Sequence, residues 1–280
     1  MAKVISFLNF KGGVAKTTST VNVAKALHDM GYKVLVIDSD RSGNASKMMG
    51  KKLSEGNEDT MYDVLTKGTP ITDCIRVDQN KEESFDFVPG NQRLTDAEIE
   101  LVSKIGRESI LKKALRPVIN YYDYILIDCT PTDGIICQNA LAASDYVVIP
   151  LNGEPFAVDG MGQIIHRYKE VKENLNEGLE VLGFVFTIMR NCNIHEAIKE
   201  ELKEQHTRNN WPGEIFLSEI KQNVRLAETP AFRTNIFDYT EQFNPKDIKQ
   251  RSKWENCVKA SEEYKALAME ILEKIEKHNG

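Results

Sequence analysis

A glycine-containing loop lies between an apolar run and a segment of helical spacing near the start of this 280-residue chain. The apolar run occupies residues 4–8, and the helical segment occupies residues 17–30 and stops at Gly31. A glycine turn between a buried strand and a helix lets backbone N–H groups point inward at the positive end of the helix, where they bind anions. This pattern predicts a phosphate-binding loop within an α/β fold. The loop residues are Lys11, Gly12, Gly13, Val14, Ala15, Lys16, Thr17 and Thr18.

Two side chains of the loop have the chemistry that a nucleoside triphosphate requires. Lys16 carries a positive charge that can reach the β- and γ-phosphates, and the hydroxyl of Thr17 can ligate Mg²⁺. Gly12 and Gly13 let the backbone turn close to the phosphates. The loop therefore predicts ATP and Mg²⁺ as cofactors.

Short apolar runs alternate along the chain with longer segments of helical spacing. Runs that are apolar along their whole length are typical of strands covered on both faces. Alternating strands and helices favour parallel pairing through right-handed crossovers. We therefore expect an α/β fold with a doubly wound, mostly parallel sheet and helices on both faces. Further strands are predicted at residues 34–37, 124–127, 146–149 and 181–186, and further helices at 196–208 and 255–275.

The expected organisation is one domain over residues 1–280, because no linker-like tract rich in proline, glycine or serine divides them. Residues 51–84 are polar and are expected to form a surface excursion with one short helix at 61–67. A second polar stretch at 240–253 precedes a predicted C-terminal helix at about 255–277.

The composition indicates a globular protein with free thiols and a net negative charge. Hydrophobic residues make up 41% of the chain and charged residues 28%, which is typical of a globular protein. The five cysteines form no CxxC pair, so we expect free thiols in a reducing cytosol and a cytoplasmic protein. The formal charge is −6, so any binding to nucleic acid requires a local basic patch.

Residues 9–18 resemble the deviant Walker A loop of the ParA/MinD family of P-loop ATPases, written KGGxGK[ST]. Ala15 departs from that pattern, and its methyl group costs strain if its φ is positive. The resemblance implies that Lys11 is a signature lysine that reaches the nucleotide of a partner subunit and acts in catalysis. A second cation offsets charge on the transferred phosphoryl group, so hydrolysis is tied to an ATP-dependent homodimer.

Residues 38–45 resemble the family's switch motif, D-x-D-P-Q-G-N-A. Arg41 and Ser42 replace its proline and glutamine, and the resemblance makes Asp40 the catalytic residue that places the attacking water. Asp38 lies two residues before Asp40, so on an extended chain the two carboxylates point the same way and can organise Mg²⁺ with its waters.

Residues 124–131 resemble the family's Walker B segment. An apolar strand there delivers Asp128 at its carboxyl end, from which a carboxylate reaches Mg²⁺ directly or through water. The predicted magnesium residues are therefore Thr17, Asp40 and Asp128.

Residues 220–230 resemble the family segment I-P-R-N-V-R-L-x-E-A-P, in which Arg225 falls on a DNA-contacting arginine. Arg190 and Lys221 are predicted to add to this DNA-binding surface, which would contact phosphates without reading sequence. The resemblance to ParA-type proteins implies nonspecific DNA binding by the ATP dimer, release through a ParB-like centromere-binding activator, and association with the nucleoid.

Three alternatives stay open at this stage. The first is a related ATPase that positions another cargo over the nucleoid. The second is a membrane switch like MinD, which ends in a basic amphipathic helix; the polar face of the last helix here is net acidic, so no membrane partner is expected. The third is a relative of the nitrogenase iron protein, for which Cys129 and Cys137 would have to ligate a cluster.

Overall fold

A seven-stranded sheet forms the centre of the protein in a computed structural model that describes residues 1–49, 58–76, 85–154 and 157–279. The strand order is β3-β2-β4-β1-β5-β6-β7, and all pairings between these strands are parallel. The predicted doubly wound α/β fold is therefore confirmed. The strands are β1 (Lys3–Phe7), β2 (Val34–Asp38), β3 (Asp86–Val88), β4 (Tyr124–Asp128), β5 (Tyr146–Asn152), β6 (Glu180–Met189) and β7 (Glu214–Lys221).

Helices cover both faces of the sheet. The first group comprises α1 (Lys16–Asp29), α2 (Asn44–Met48), α10 (Val224–Glu228), α11 (Ile236–Thr240) and α12 (Ile248–Asn279), which share one apolar core. The second group, on the other face, comprises α3 (Met61–Lys67), α4 (Ile71–Cys74), α5 (Leu94–Glu100), α6 (Ile110–Leu115), α7 (Ile135–Ala143), α8 (Met161–Asn174) and α9 (Asn193–Arg208). Side chains of the central strands alternate between the two cores, so Val34 and Val36 face one and Leu35 and Ile37 the other.

Two strands of the sheet were not predicted from the sequence, and both lie at its edges. β3 has only three residues, which is too short to show a strand pattern. β7 is polar along much of its length because one side of it faces solvent: Phe216 is 3% exposed and its neighbour Leu217 is 91% exposed. An edge strand needs apolar residues on one face only.

The C-terminal helix is longer than predicted: it begins at Ile248 rather than at about 255 and ends at Asn279 rather than at about 277. Its first turn is capped by Asp247, whose side chain accepts the backbone N–H of Lys249 at 2.9 Å. The prediction that the polar stretch at 240–253 precedes the last helix was therefore partly wrong, because residues 248–253 belong to the start of α12.

The predicted excursion at 51–84 is described only in part, since residues 51–57 and 77–84 lie outside the described residues. The predicted short helix is confirmed as α3, with Thr60 and Asp63 forming a capping box at its start. Among the helices that the structure describes, none combines the length and apolar character needed to cross a bilayer.

A candidate nucleotide and magnesium site at the carboxyl edge of the sheet

Three neighbouring parallel strands end together beside the phosphate-binding loop. In the register of the sheet, Phe7 of β1 and Asp38 of β2 both pair with Asp128 of β4. The loop leaves β1 at its carboxyl end and enters α1 at Lys16. Ligands of open α/β sheets bind at this edge, because strand ends and helix N-termini converge there.

The backbone of the loop has the shape of an anion nest. Gly13 has φ of 75°, and Ala15, at the N-cap of α1, has φ of 59° and ψ of 30°. A Cβ built at Gly12 or Gly13 would meet no atom within 4 Å, so open space lies in front of both residues. Val14 is buried on the opposite side, where its carbonyl accepts the hydroxyl of Thr187 at 3.0 Å. The loop is therefore fixed to the rest of the domain through Val14, while the space beside Gly12 and Gly13 is open.

Lys16 is 7% exposed, and its Nζ donates to the carbonyl of Lys11 at 3.1 Å across the loop. Burial lowers the pKa of its ammonium, while the nearby carboxylates, chiefly Asp128, oppose that shift. Phosphate oxygens bound in the loop would favour the charged form of Lys16 in the same way. Thr18 follows in the first turn of α1, where its carbonyl accepts the side-chain amide of Asn22 at 2.7 Å.

Thr17 and Asp128 come together at the centre of the site. The Thr17 hydroxyl donates to Oδ2 of Asp128 at 2.7 Å. Oδ1 of Asp128 is buried, and no donor within the described residues reaches it. Burial raises the pKa of Asp128 well above its ordinary value, and the charge of Asp38 raises it further.

These groups fit a magnesium ion that is held together with substrate phosphates. Mg²⁺ takes oxygen ligands, commonly one or two carboxylates with phosphates and water, and Asp128 and Thr17 offer a carboxylate and a hydroxyl. Within the described ranges, no cluster of three or more histidine, cysteine, aspartate or glutamate side chains could hold a metal unaided. Thr17 and Asp128 would supply part of the coordination of Mg²⁺, and phosphates and water would supply the rest.

The two aspartates of the switch motif have different surroundings. Oδ2 of Asp38 accepts both the backbone N–H of Ser46 at 2.8 Å and its hydroxyl at 2.6 Å, and Oδ1 accepts the N–H of Asp40 at 3.1 Å. Burial raises the pKa of Asp38 to about 6, although the hydrogen bonds from Ser46 oppose the shift. Asp38 therefore anchors α2 to the end of β2. Asp40 is less buried, and Oδ1 of its carboxylate accepts from Ser42.

Lys11 forms a contact within its own chain. Its Nζ lies 3.0 Å from Oε2 of Glu154, and their side chains are 36% and 65% exposed. The charge and hydrogen bond of Lys11 lower the pKa of Glu154. An exposed pair of this kind contributes at most about 1 kcal/mol, so the lysine can exchange it for another anion.

The predicted DNA residues lie near the carboxyl ends of β6 and β7: Arg190 follows β6, Lys221 ends β7, and Arg225 lies in α10. Arg190 donates through Nε to the side chain of Gln222, which is adjacent in sequence to Lys221. Arg225 contacts Glu228 through Nη1, at 3.0 Å from Oε1 and 2.7 Å from Oε2. Since Glu228 neutralises its charge, Arg225 is less available to a phosphate than the sequence indicated.

Sequence reasoning missed Lys259 of α12 as a member of this basic surface. A cavity of 320 Å³ is lined by Lys221, Arg225 and Lys259, together with Glu263. The only signal for Lys259 in the sequence is that it lies three residues after Asn256, and so on the same side of a helix. The carbonyl of Asn256 accepts the side-chain amide of Asn223, so this spacing becomes informative only once α12 is known to pack beside α10.

Cys129 and Cys137 are both fully buried, and burial raises the pKa of each thiol, to about 12 for Cys129. Neither side chain faces a surface at which a second subunit could share a cluster. The free-thiol interpretation of both residues agrees with this placement.

The strand, loop and helix that bring Lys16, Thr17 and Asp128 together define a P-loop nucleoside triphosphatase. Residues 2–181 match the sequence model of a family described as an AAA domain. The chain is 37% identical over 240 residues to the sporulation initiation inhibitor protein Soj of Bacillus subtilis. The aligned residues cover 85% of this chain and 92% of Soj. The chain belongs to the ParA/MinD family of P-loop ATPases, as its loop predicted.

Two further comparisons support this membership. The chromosome partitioning protein ParA of Myxococcus xanthus is 35% identical over 275 residues, which cover 98% of this chain and 89% of that protein. Cobyrinic acid a,c-diamide synthase of Mycobacterium smegmatis, solved with an ATP analogue and magnesium, superposes with a TM-score of 0.73 at 27% identity. The superposition covers 83% of this chain and 93% of that enzyme.

Proposed function

We propose that this protein is a DNA partition ATPase that uses ATP and Mg²⁺, forms an ATP-dependent homodimer, and binds DNA without sequence preference. The observation that carries the ATPase part is the contact between Thr17 and Asp128 beneath an open phosphate loop. The partition part is supported by similarity to Soj and ParA over 85% and 98% of the chain.

The loop residues bind and orient the triphosphate. Backbone N–H groups around Gly12 and Gly13 surround the β-phosphate, and Lys16 supplies a positive charge near the β- and γ-oxygens. Bound Mg²⁺ would offset the negative charge of the triphosphate. Thr17 and Asp128 are the residues that would hold that ion, and the low exposure of Lys16 strengthens its attraction to the phosphates.

Hydrolysis is completed by one residue from each subunit. Asp40 accepts a hydrogen bond from the attacking water and aligns it with the γ-phosphorus. Lys11 exchanges Glu154 for the nucleotide of the partner subunit, where it offsets charge that develops on the transferred phosphoryl group. Turnover is slow in the isolated protein because both the dimer and an activating ParB-like partner are needed.

DNA binding is expected to depend on the dimer, because each chain carries a net charge of −6 and only one copy of the basic surface, and pairing two copies doubles the phosphate contacts. The contacts to duplex DNA would come from two copies of the surface formed by Lys221, Arg225 and Lys259, with Arg190 beside it through Gln222. Hydrolysis separates the subunits and releases the DNA, so the protein is expected to be nucleoid-associated in the cytoplasm.

A membrane-switching function has less support. The apolar side of α12, including Tyr264, Leu267 and Ile271, is fully buried against the domain. Glu270 of the same helix also accepts two backbone N–H groups of β7 at 2.8 Å. This helix would have to leave its packing site before it could enter a lipid interface.

The decisive test measures nucleotide binding and DNA binding in the same preparation. Lys16→Ala should abolish ATP binding and, with it, ATP-dependent retention on random duplex DNA. The nucleotide site would be refuted by measurable affinity of this variant at millimolar ATP. A wild-type protein that hydrolyses ATP but retains no DNA at low salt would refute the DNA-binding part of the proposal and would indicate a partner other than the nucleoid.

A further inference from the structure

Ser42 stands where the family's switch motif has glutamine, and it contacts the carboxylate of Asp40 directly. Its backbone N–H donates to Oδ1 of Asp40 at 2.8 Å, and its hydroxyl donates to the same oxygen at 2.6 Å. Within the described part of the chain, we find no hydrogen bond to the other oxygen, Oδ2. The carboxylate of Asp40 is therefore fixed through Oδ1, and Oδ2 is available to accept a hydrogen bond.

The turn that carries Ser42 is fixed at several points. The N–H of Asp40 is held by Asp38, and the carbonyl of Asp40 accepts the N–H of Gly43 at 3.0 Å. The carbonyl of Ser42 accepts Nζ of Lys47 at 2.7 Å. Because the backbone is held in this way, the serine hydroxyl approaches Asp40 from a defined direction.

We propose that Ser42 is a positioning residue for ATP hydrolysis: its hydroxyl fixes Oδ1 of Asp40 so that Oδ2 is presented to the attacking water. This inference rests on the proposed function, because it needs Asp40 as the acceptor for that water. A hydrogen bond to a charged acceptor is stronger than one between neutral groups, and it removes rotation of the carboxylate. A fixed acceptor keeps the water aligned and so raises the rate of the chemical step.

Loss of the Ser42 hydroxyl should slow ATP hydrolysis and leave ATP binding unchanged. The hydroxyl of Ser42 donates to Asp40, and no hydrogen bond joins it to the phosphate loop within the described residues, so ATP affinity should not depend on it. Ser42→Ala keeps the backbone donor and loses only the hydroxyl donor. We expect kcat to fall about ten-fold with KM and the ATP dissociation constant unchanged.

The experiment compares Ser42→Ala, Ser42→Thr and Asp40→Ala with the parent protein. Steady-state ATPase activity is measured with Mg²⁺ and saturating DNA, and ATP binding is measured separately with a fluorescent analogue. Ser42→Thr keeps the hydroxyl and should restore kcat to within about two-fold of the parent. If Ser42→Ala fails to fold, Ser42→Cys, which keeps the size but donates weakly, should give a reduced kcat at the parental KM.

Different results would refute the role of Ser42 and the proposed ATPase function. An Ala variant at the parental rate, or a Thr variant as slow as the Ala variant, removes the role of Ser42 while leaving the ATPase intact. A parallel rise in KM and dissociation constant would instead make Ser42 a binding residue and refute its positioning role. A parent protein that neither binds ATP nor hydrolyses it would refute the proposed function itself.

Discussion

The hydroxyl of Thr17 donates a 2.7 Å hydrogen bond to Oδ2 of Asp128, which lies 111 residues further along the chain. Oδ1 of the same carboxylate is buried and has no donor among the described residues. A buried oxygen without a partner costs about 1–3 kcal/mol, and more when it carries charge. A bound cation together with a nucleotide would remove that cost, so the pair links metal binding to stability.

The first prediction tests this link with Asp128→Asn. The variant removes the carboxylate charge from a buried site, so its Tm without nucleotide should equal or exceed that of the parent. The rise in Tm that ATP with Mg²⁺ produces in the parent should be lost, and EDTA should then change nothing. Thermal unfolding with and without each ligand measures both effects.

Asp96→Asn is a matched control, because Asp96 lies exposed on α5. It should keep the full ligand-dependent rise in Tm. If Asp128→Asn keeps that rise as well, Asp128 does not hold the metal.

The second prediction concerns Ala15, which has a left-handed backbone conformation at the N-cap of α1. A residue other than glycine costs roughly 1–2 kcal/mol of strain in this region, and replacing it with glycine relieves that strain. Part of this gain is lost, because glycine loses more conformational entropy on folding than alanine does. Ala15→Gly should therefore raise the free energy of unfolding by up to about 1 kcal/mol and leave ATP affinity equal or improved. Denaturant unfolding and nucleotide titration check the two parts.

Ala266→Gly is the opposite case, since Ala266 is exposed within the right-handed helix α12. It should lower the free energy of unfolding by about 1 kcal/mol. An Ala15→Gly variant that is destabilised to the same extent would contradict the strain at this position.

The meeting of the candidate ATP-site residues at one edge of the sheet could be predicted from sequence, because these residues lie in short motifs that follow strands. Lys16 and Thr17 come directly after β1, and Asp128 ends β4. Parallel strands with right-handed crossovers bring such positions to one edge of the sheet whatever the intervening sequence is. The core strands were predicted from their apolar runs, and α3 was predicted as one short helix within a polar stretch.

Other features depend on tertiary contacts or backbone angles that no motif encodes. The positive φ of Ala15 is a property of the folded loop, and the contact between Lys11 and Glu154 joins residues 143 positions apart. The role of Lys259 depends on how α12 packs, and α12 itself begins earlier than its apolar spacing indicates. Edge strand β7 escaped prediction because only one of its faces is apolar.

The third prediction concerns Lys11, which lies 3.0 Å from Glu154 in the single chain. Lys11→Ala should still bind ATP, because Lys16 and the loop backbone remain, but the ATP-dependent dimer should disappear. Glu154→Gln is the matched control: it breaks the same ion pair but keeps the lysine, so it should keep the dimer. Sedimentation velocity with ATP and with ADP distinguishes these outcomes.

A Lys11→Ala protein that dimerises normally and hydrolyses ATP at the parental rate would remove the cross-subunit role. Loss of the dimer in Glu154→Gln as well would mean that the ion pair, rather than the free lysine, supports association.

The fourth prediction uses the pairing of Arg225 with Glu228 to test the basic surface. Arg225→Ala should weaken DNA binding by the ATP dimer equally for all sequences. Each phosphate contact contributes about 0.9 to the slope of log affinity against log salt, so losing one contact per subunit lowers that slope by about 2.

Glu228→Gln should have the opposite effect, because it removes a negative charge and releases the guanidinium, while a glutamine oxygen can still accept the hydroxyl of Tyr239. Lys112→Ala on α6, on the other face of the sheet, should change neither affinity nor slope. Binding to random duplex at several salt concentrations, with and without ATP, measures all three variants, and an unchanged slope for Arg225→Ala would show that this arginine makes no phosphate contact.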